Sequence, residues 1–314
     1  MRIAVLDDYQ RAARRFADWD ALGGEVVFFH EPLAGVAAVS AALAGFDVVV
    51  IMRERTPFTA ELFDRLPALR LLVTTGMANA SVDLAAARRH GVTVCGTEAV
   101  PHATAELTWG LILSLARNIP AESAGMREGG WQTTIGRDLH GRTLGVVGLG
   151  RLGSRVAAIG AAFGMRVLAW SSNLDAERAV AAGVEPVDKR TLFSLADVVT
   201  VHYKLGARST GLIGAPELSW MKPTALLVNT SRGPLIDTAA LVEAVRDGRI
   251  AGAGLDVYDM EPLPADDVLR TLPRTVLTPH LGYVTEATYE VFYGQAAEDI
   301  AAFHAGAPLR VLTG

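Results

Sequence analysis

The sequence predicts an α/β fold in which two parallel β-sheets, each covered by helices, form separate domains, one inserted into the other. Short apolar runs alternate with helical patterns along the first hundred residues, and the alternation resumes near residue 143. A helical pattern at 286–304 comes after the second set of strands is complete, so we expect this helix to fold back onto the first domain. A chain of 314 residues is long enough for two domains with cores of their own.

The first domain is predicted from five strand-like runs separated by four helical patterns. The runs are rich in β-branched residues and leucine, as expected of a parallel sheet covered on both faces. The predicted strands are 3–6, 26–29, 48–51, 71–73 and 92–94, and the predicted helices are 11–22, 36–43, 60–66 and 82–89. Ser81 and Asp83 are candidate caps of the last helix. We interpret this part as a small flavodoxin-like domain.

Residues 103–118 form a predicted helix that is apolar nearly all round and therefore buried, either between domains or in a subunit interface. Trp109 and Trp131 make a dimer contact as reasonable as a core position, and we predict a homodimer through residues 103–118 and the segment around Trp131. The later strands are predicted at 198–201, 225–229, 253–257 and 275–278. The predicted domains are 1–99 plus 286–314 for substrate binding and 100–285 for the inserted part, with a ligand cleft expected between them.

A glycine motif lies between a strand at 143–147 and a helix at 151–163, and a second strand follows at 166–170. Gly148 allows a tight turn, Gly150 lets the backbone approach a pyrophosphate, and Gly153 lets the helix pack closely on the strand. The free N–H groups at the start of the helix attract phosphates. Because the chain has 31 glycines, the motif is informative only in this strand–turn–helix context. The inserted part is therefore predicted to be a dinucleotide-binding Rossmann domain.

Three polar residues, Arg232, Glu261 and His280, each follow one of the last three predicted strands. Ligands bind outside the carboxyl ends of strands in open parallel sheets, so we expect these residues to converge near the glycine turn. A guanidinium holds a carboxylate in a bidentate fork, and an imidazole passes a proton to or from an oxygen. A neighbouring carboxylate favours the imidazolium and orients the ring. Singly, each residue also fits a structural or surface role; together they predict an active site.

The composition excludes several other classes of protein. A net charge of −5 offers no basic face for nucleic acid or an anionic membrane. The single cysteine, Cys95, excludes a disulfide framework and a cysteine-rich zinc site, and no metal site is predicted. No N-terminal signal and no apolar stretch of bilayer length is evident, so we expect a cytoplasmic protein.

Four ordered motifs, GLGRLG, NTSRGPLID, GLDVYDMEPLP and TPH, resemble those of the D-isomer-specific 2-hydroxyacid dehydrogenases over essentially the whole chain. The resemblance implies a nicotinamide-dependent interconversion of a 2-oxo acid and a D-2-hydroxy acid. It implies that Arg232 binds the substrate carboxylate and carbonyl, that His280 is the acid/base and that Glu261 pairs with it. It further implies that Asp256 holds the nicotinamide carboxamide and that N–H groups of the loop 76–79 bind the substrate carboxylate.

The expected site residues form two sets. Those expected at the cofactor are Thr104, Gly148, Gly150, Arg151, Leu152, Gly153, Ser171, Ser172, His202, Thr230, Asp256 and Gly282. Those expected at the substrate are Arg53, Met77, Ala78, Arg232 and Tyr283.

The sequence leaves the choice between NAD and NADP open. Ser171 stands where NAD enzymes carry an acidic residue that binds the ribose 2′-hydroxyl, yet no arginine follows it to hold a 2′-phosphate. Lys204 either reaches the adenosine end or is a solvated surface residue.

Two further alternatives concern substrate and class. Arg53 and Arg55 either bind a phosphate or second carboxylate of the substrate, or pair with Glu54 and Glu61 on the surface. Corepressors of the C-terminal binding protein type share this fold and the same Arg, Glu and His set, so an NAD-binding protein that recruits partners is the alternative to an enzyme.

Overall fold

The computed structural model describes residues 1–313, which form two compact units. The first unit comprises Met1–Val100 and Val284–Gly314, and the second comprises Pro101–Tyr283. The predicted α/β fold with two parallel sheets is confirmed. The substrate-binding and dinucleotide-binding roles given to the predicted domains remain predictions, and the last residue of the first predicted domain, Gly314, lies outside the described residues.

The first unit contains a five-stranded parallel sheet. Its strands are β1 (Arg2–Val5), β2 (Glu25–Phe28), β3 (Val48–Ile51), β4 (Leu71–Thr74) and β5 (Thr93–Gly96), in the spatial order β2-β1-β3-β4-β5. Its first helices are α1 (Gly35–Ala42), α2 (Ala60–Asp64) and α3 (Leu84–Arg89). The central strands β3 and β4 are buried along their whole length, because helices cover both faces of a parallel sheet. Asp83 caps α3 by accepting a hydrogen bond from the Ala86 N–H at 2.8 Å.

The predicted helix at 11–22 is wrong. The structure has two short 3-10 turns there, Ala13–Arg15 and Asp20–Leu22. The carboxylate of Asp8 accepts hydrogen bonds from the backbone N–H groups of residues 12 and 13 at 2.8 and 3.2 Å. The buried indole of Trp19 donates to the Ala13 carbonyl at 2.9 Å. These tertiary contacts take the backbone groups that a continuous helix would pair internally.

The second unit contains a seven-stranded parallel sheet. Its strands are β6 (Thr143–Val147), β7 (Arg166–Trp170), β8 (Glu185–Pro186), β9 (Val198–Val201), β10 (Leu226–Asn229), β11 (Gly252–Leu255) and β12 (Thr275–Leu277). Their spatial order is β12-β11-β10-β9-β6-β7-β8. Strands β6 and β9 are neighbours, with β7 and β8 beyond β6 and the last three strands beyond β9. The sequence predicted six of these strands. It missed β8, because two residues that include a proline give no strand pattern.

The helices of the second unit begin with α4 (Ala103–Ala116). The others are α5 (Ile119–Arg127), α6 (Arg151–Ala162), α7 (Ala176–Ala181), α8 (Lys189–Leu195), α9 (Ala215–Trp220) and α10 (Thr238–Arg246). The buried face of α4 packs on α6 and on β10 to β12. Trp109 belongs to this core, whereas Trp131 is 73% exposed. The predicted homodimer remains a prediction.

The last helix, α11 (Glu286–His304), belongs to the first unit and packs against β4. Tyr289 and Tyr293 on this helix form an aromatic cluster with Phe16 and Trp19, with ring centroids 5.7 and 6.2 Å apart for the Phe16–Tyr289 and Trp19–Tyr293 pairs. Among residues 1–313, none of the helices combines the length and the apolar character that a bilayer span requires.

The chain segment after α11 is fastened to the first sheet by Arg310. Its backbone carbonyl accepts a hydrogen bond from the N–H of Gly96 at the end of β5 at 3.0 Å. Its guanidinium donates to the fully buried carboxylate of Asp299 on α11 at 3.0 Å. Burial nevertheless raises the pKa of Asp299 from 3.8 to about 6, and the charge of Arg310 opposes that rise only in part. Asp299 therefore holds a proton in the folded state under conditions where it would lose it in the unfolded chain.

We expect Asp299→Asn to become more stable relative to the native chain as the pH rises. A raised folded-state pKa stabilises the fold below pH 3.8, and this contribution is lost as the pH rises through about 6. An asparagine cannot ionise, so the difference in unfolding free energy between variant and native chain should shift by up to about 3 kcal/mol between pH 4 and pH 7.5. Urea denaturation at both pH values measures it, with Glu290→Gln, at an exposed position of the same helix, as the control. An identical difference at both pH values would contradict the assignment.

Candidate active site

The glycine turn between β6 and α6 leaves its backbone open on one side. Gly148 has a φ of +96°, and a Cβ there would lie 2.7 Å from the His202 carbonyl oxygen. A Cβ on Gly153 would lie 2.0 Å from the Gly148 carbonyl oxygen, so α6 packs directly on the turn. A Cβ on Gly150 would meet nothing within 4 Å. Gly150 also precedes α6 without a side-chain cap. The turn therefore fits a pyrophosphate, which needs close backbone approach and free N–H groups at a helix start.

The other residues expected at the cofactor lie along the same edge of the second sheet. Ser171 and Ser172 follow β7, His202 follows β9, Thr230 follows β10, and Arg151 and Leu152 open α6. Two threonine contacts join α4 to this edge. The Thr104 hydroxyl donates to the Gly282 carbonyl at 2.8 Å, and the Thr108 and Thr230 hydroxyls are hydrogen-bonded at 2.8 Å. The structure thus brings Thr104, Thr230 and Gly282 together at one end of α4.

His202 is a neutral residue at physiological pH. Burial lowers the pKa of its imidazole to about 3. Its Nε2 lies 2.9 Å from the hydroxyl oxygen of Thr200, while its buried Nδ1 has no hydrogen-bond partner among the described residues. The ring can therefore offer a neutral hydrogen-bonding group beside the glycine turn, and it supplies no positive charge there.

Glu261 and His280 form the closest ionisable pair of the site. The imidazole Nδ1 of His280 lies 2.5 Å from Oε2 of Glu261, and the other carboxylate oxygen accepts a hydrogen bond from the Tyr258 N–H at 3.0 Å. Burial acts to raise the pKa of Glu261, but the hydrogen bond and charge of His280, aided by the charge of Arg232, leave this pKa below its usual value. Glu261 is therefore ionised at neutral pH and holds the imidazole by one nitrogen.

Arg232 is placed by the loop that follows β10. The Asn229 side-chain amide donates to the Arg232 carbonyl at 2.9 Å, and its oxygen accepts from the Ser231 N–H at 3.0 Å. A Cβ on Gly233 would lie 2.1 Å from the Tyr258 carbonyl carbon. The loop that carries Arg232 therefore packs without a spacer on the backbone just before Glu261, and only glycine allows this approach.

Asp256 holds the loop that carries His280. His280 has a φ of +53°, a left-handed conformation that costs free energy in a non-glycine residue. The fully buried carboxylate of Asp256 accepts hydrogen bonds from the Thr278 hydroxyl and from the N–H groups of Leu281 and Gly282, at 2.6, 2.7 and 2.9 Å. Burial raises the pKa of Asp256, and these hydrogen bonds work against that rise. No local sequence pattern indicates that Asp256 holds this loop, because its three donors come from a segment more than 20 residues away.

Tyr283 packs edge-on against the His280 ring, with centroids 5.4 Å apart and an interplanar angle of 68°. It is the one residue of the expected substrate set, apart from Arg232, that lies in the second unit. Its contact with the imidazole makes it a second restraint on the orientation of that ring.

Arg53, Met77 and Ala78 lie in the first unit. Arg53 follows β3, and its side chain packs against the loop after β4. A guanidinium nitrogen of Arg53 donates to the Thr75 carbonyl at 3.1 Å and lies 1.8 Å from the position of a Cβ on Gly76. The Asn79 amide donates to the Arg53 carbonyl at 2.6 Å. Arg53 and the loop 76–79 therefore form one cluster at the carboxyl ends of β3 and β4.

The alternative in which both arginines pair with Glu54 and Glu61 is wrong in part. Glu61 pairs with Arg65 at 2.8 Å, and the guanidinium of Arg55 stacks 4.6 Å from the centre of the Tyr9 ring. Arg53 does approach Glu54, at 3.7 Å. Within residues 1–313, no group of three or more His, Cys, Asp or Glu side chains could hold a metal ion.

The chain is similar to known oxidoreductases in both sequence and structure. The family model of the D-isomer specific 2-hydroxyacid dehydrogenase NAD binding domain matches residues 109–282. The glyoxylate reductase of Korarchaeum cryptofilum is 37% identical over 257 residues, covering 80% of this chain and 77% of that protein. The D-3-phosphoglycerate dehydrogenase of Bacillus subtilis is 36% identical over 277 residues, covering 87% of this chain but only 52% of that protein. The crystal structure of a phosphoglycerate oxidoreductase from Vibrio cholerae has a TM-score of 0.94 at 37% identity, covering 98% of this chain and 100% of that one.

We expect His280→Ala to raise the pKa of Glu261. The hydrogen bond and charge of His280 oppose the effect of burial, so their removal leaves burial dominant. Carbon-13 NMR titration of glutamate-labelled protein measures this pKa directly and needs no ligand. His304→Ala, at the exposed end of α11, is the control. An unchanged Glu261 titration in the His280 variant would show that the pair does not interact in solution.

Proposed function

The chain belongs to the D-isomer-specific 2-hydroxyacid dehydrogenase family, and we propose that it reduces a short 2-oxo acid to its D-2-hydroxy acid, or the reverse, with Arg232, Glu261 and His280 as the catalytic set. It is an NAD(P)-dependent oxidoreductase of this family. The observation that carries the proposed roles is the His280–Glu261 contact, because a carboxylate at 2.5 Å from one imidazole nitrogen leaves the other nitrogen for a substrate oxygen.

The proposed chemistry divides among the three side chains. When bound, the nicotinamide supplies or accepts the hydride. In the reduction direction, His280 as an imidazolium donates a proton from Nε2 to the substrate oxygen that was the carbonyl, and Glu261 stabilises that cation through Nδ1. In the oxidation direction, neutral His280 accepts this proton. Arg232, whose charge already acts on Glu261, holds the substrate carboxylate and polarises the carbonyl.

The loop 76–79 and Arg53 are proposed to bind the acid end of the substrate. The Gly76 N–H already donates to the Thr97 hydroxyl at 2.9 Å, so the N–H groups proposed for the carboxylate are those of residues 77–79. The guanidinium of Arg53 lies against the same loop. A short substrate agrees with the glyoxylate reductases among the relatives, and the cluster around Arg53 would also suit a substrate with a second anionic group. The other residues of the expected cofactor set, which include Thr104, His202 and Gly282, are proposed to line the nicotinamide and ribose sites along the edge of the second sheet.

We expect the chain to oxidise reduced nicotinamide in the presence of at least one small 2-oxo acid. Loss of absorbance at 340 nm with glyoxylate, hydroxypyruvate, pyruvate and a branched 2-oxo acid measures this activity, and chiral chromatography of the product shows whether it is the D isomer. Binding of the reduced cofactor without turnover of any acid would contradict the enzymatic role and favour the partner-recruiting alternative.

We expect His280→Ala and Arg232→Ala to fail in different ways. Loss of the proton donor should lower kcat by about 10²- to 10⁴-fold with a small effect on KM. Loss of the guanidinium should raise KM for the 2-oxo acid about 10- to 100-fold, because a charge-assisted bidentate contact to the substrate is gone.

Steady-state kinetics on both variants, with His304→Ala and Arg249→Ala as surface controls, separates the two effects. Arg249 pairs only with acidic residues of its own surface in the described contacts, at 2.7 Å from Asp247 and 3.7 Å from Glu243. Undiminished kcat in His280→Ala would overturn the proposed mechanism.

A further inference from the structure

Two hydroxyl groups meet at the end of β7, where dinucleotide-binding domains of this type carry the acidic residue that binds the ribose 2′-hydroxyl. Trp170 ends β7, and Ser171 and Ser172 follow it. The Ser172 hydroxyl is hydrogen-bonded to the phenolic hydroxyl of Tyr203, which comes from the loop after β9. The rings of Trp170 and Tyr203 are nearly parallel, at 14°, with their centroids 6.0 Å apart.

The glycine turn lies directly between these two loops. The Gly148 N–H donates to the Trp170 carbonyl at 2.8 Å, and a Cβ on Gly148 would lie 3.0 Å from the Tyr203 backbone nitrogen. In the sheet, β6 lies between β7 and β9. The side chain of Tyr203 therefore crosses the end of β6 to reach Ser172, next to the turn proposed to hold the pyrophosphate.

The chemistry of this hydroxyl pair differs from that of a carboxylate in one decisive respect. An ionised carboxylate accepts hydrogen bonds from a ribose 2′-hydroxyl and repels a 2′-phosphate. Serine and tyrosine hydroxyls are neutral, and each can donate as well as accept. They can bind a 2′-hydroxyl, and they can donate to the oxygens of a 2′-phosphate in stronger, charge-assisted hydrogen bonds.

We propose that Ser172 and Tyr203 form the binding site for the 2′ position of the adenosine ribose, so that this chain binds NADPH as well as NADH. The proposal rests on the proposed function, since it takes the dinucleotide to bind at the glycine turn. Tyr203 is the new member of the site, because the pattern of a ribose-binding residue at the end of β7 points only to Ser171 and its neighbours. The stacked Trp170 and Tyr203 rings fix the phenol in place, so it reaches Ser172 with little loss of side-chain entropy.

Equilibrium binding tests the proposal without any catalytic step. Isothermal titration calorimetry with NADPH and NADH gives the two dissociation constants, and adenosine 2′,5′-bisphosphate and 5′-AMP repeat the comparison without the nicotinamide. We expect the native chain to bind NADPH within about tenfold of NADH. Tyr203→Phe keeps the ring and removes the hydroxyl, so it should weaken NADPH about tenfold and NADH distinctly less, and Ser172→Ala should do the same.

A third variant should make the site selective for NADH. Ser171→Asp restores an acid at the end of β7 and should weaken NADPH on the order of a hundredfold while NADH binding is kept. Ser219→Ala, whose hydroxyl bonds within its own helix α9, is the matched control and should leave both constants unchanged.

The outcomes separate this proposal from the proposed function. A native chain that binds NADH more than a hundredfold tighter than NADPH overturns the proposal and leaves the function intact. So does an unchanged ratio of the two dissociation constants in both Tyr203→Phe and Ser172→Ala. A native chain that binds neither dinucleotide overturns the proposed function, and the hydroxyl pair with it.

Discussion

The buried carboxylate of Asp256 is the interaction on which the geometry of the candidate site depends. Its hydrogen bonds to residues 278, 281 and 282 surround His280, whose left-handed backbone turns the imidazole towards Glu261. A buried carboxylate is unfavourable unless its oxygens are paired, and here three donors of one loop pair them. Because the free energy of burying Asp256 and the conformation of the His280 loop are coupled, the loop cannot relax without exposing Asp256 or leaving its oxygens unpaired.

Close backbone contacts assemble the rest of the site around this anchor. Gly153 brings α6 onto the glycine turn, and Gly233 brings the Arg232 loop onto the backbone before Glu261. At both positions a side chain would displace a neighbouring carbonyl group, so the spacing between the proposed pyrophosphate site and the proposed catalytic residues is set by backbone atoms. Contacts between long side chains would fix the distance between these loops less firmly, because each such side chain has several rotamers.

The sequence predicted the features that are local in the chain and missed those that depend on tertiary contacts. The apolar runs of β3 and β6 and the spacing of Gly148, Gly150 and Gly153 are readable because a buried strand and a tight turn each require particular residue types. The helix predicted at 11–22 failed because the distant contacts of Asp8 and Trp19 redirect that segment. The role of Asp256 in the His280 loop and the meeting of Ser172 with Tyr203 join residues 22 to 31 positions apart, and no local pattern encodes such pairs.

The two ends of the proposed dinucleotide site differ in charge, and this difference follows from where the acidic residues are placed. At the end that carries His280, the ionised carboxylate of Glu261 contacts the imidazole proposed to gain and lose a proton, and negative charge there favours the imidazolium. At the end of β7 the chain carries neutral hydroxyls instead, and no carboxyl group occupies positions 170 to 173. Because screening weakens interactions over the length of a dinucleotide, the acidic end near His280 does not disfavour a phosphate at the proposed adenosine end. Selectivity at the proposed ribose site can therefore change through residues 171, 172 and 203 without altering the geometry that holds His280.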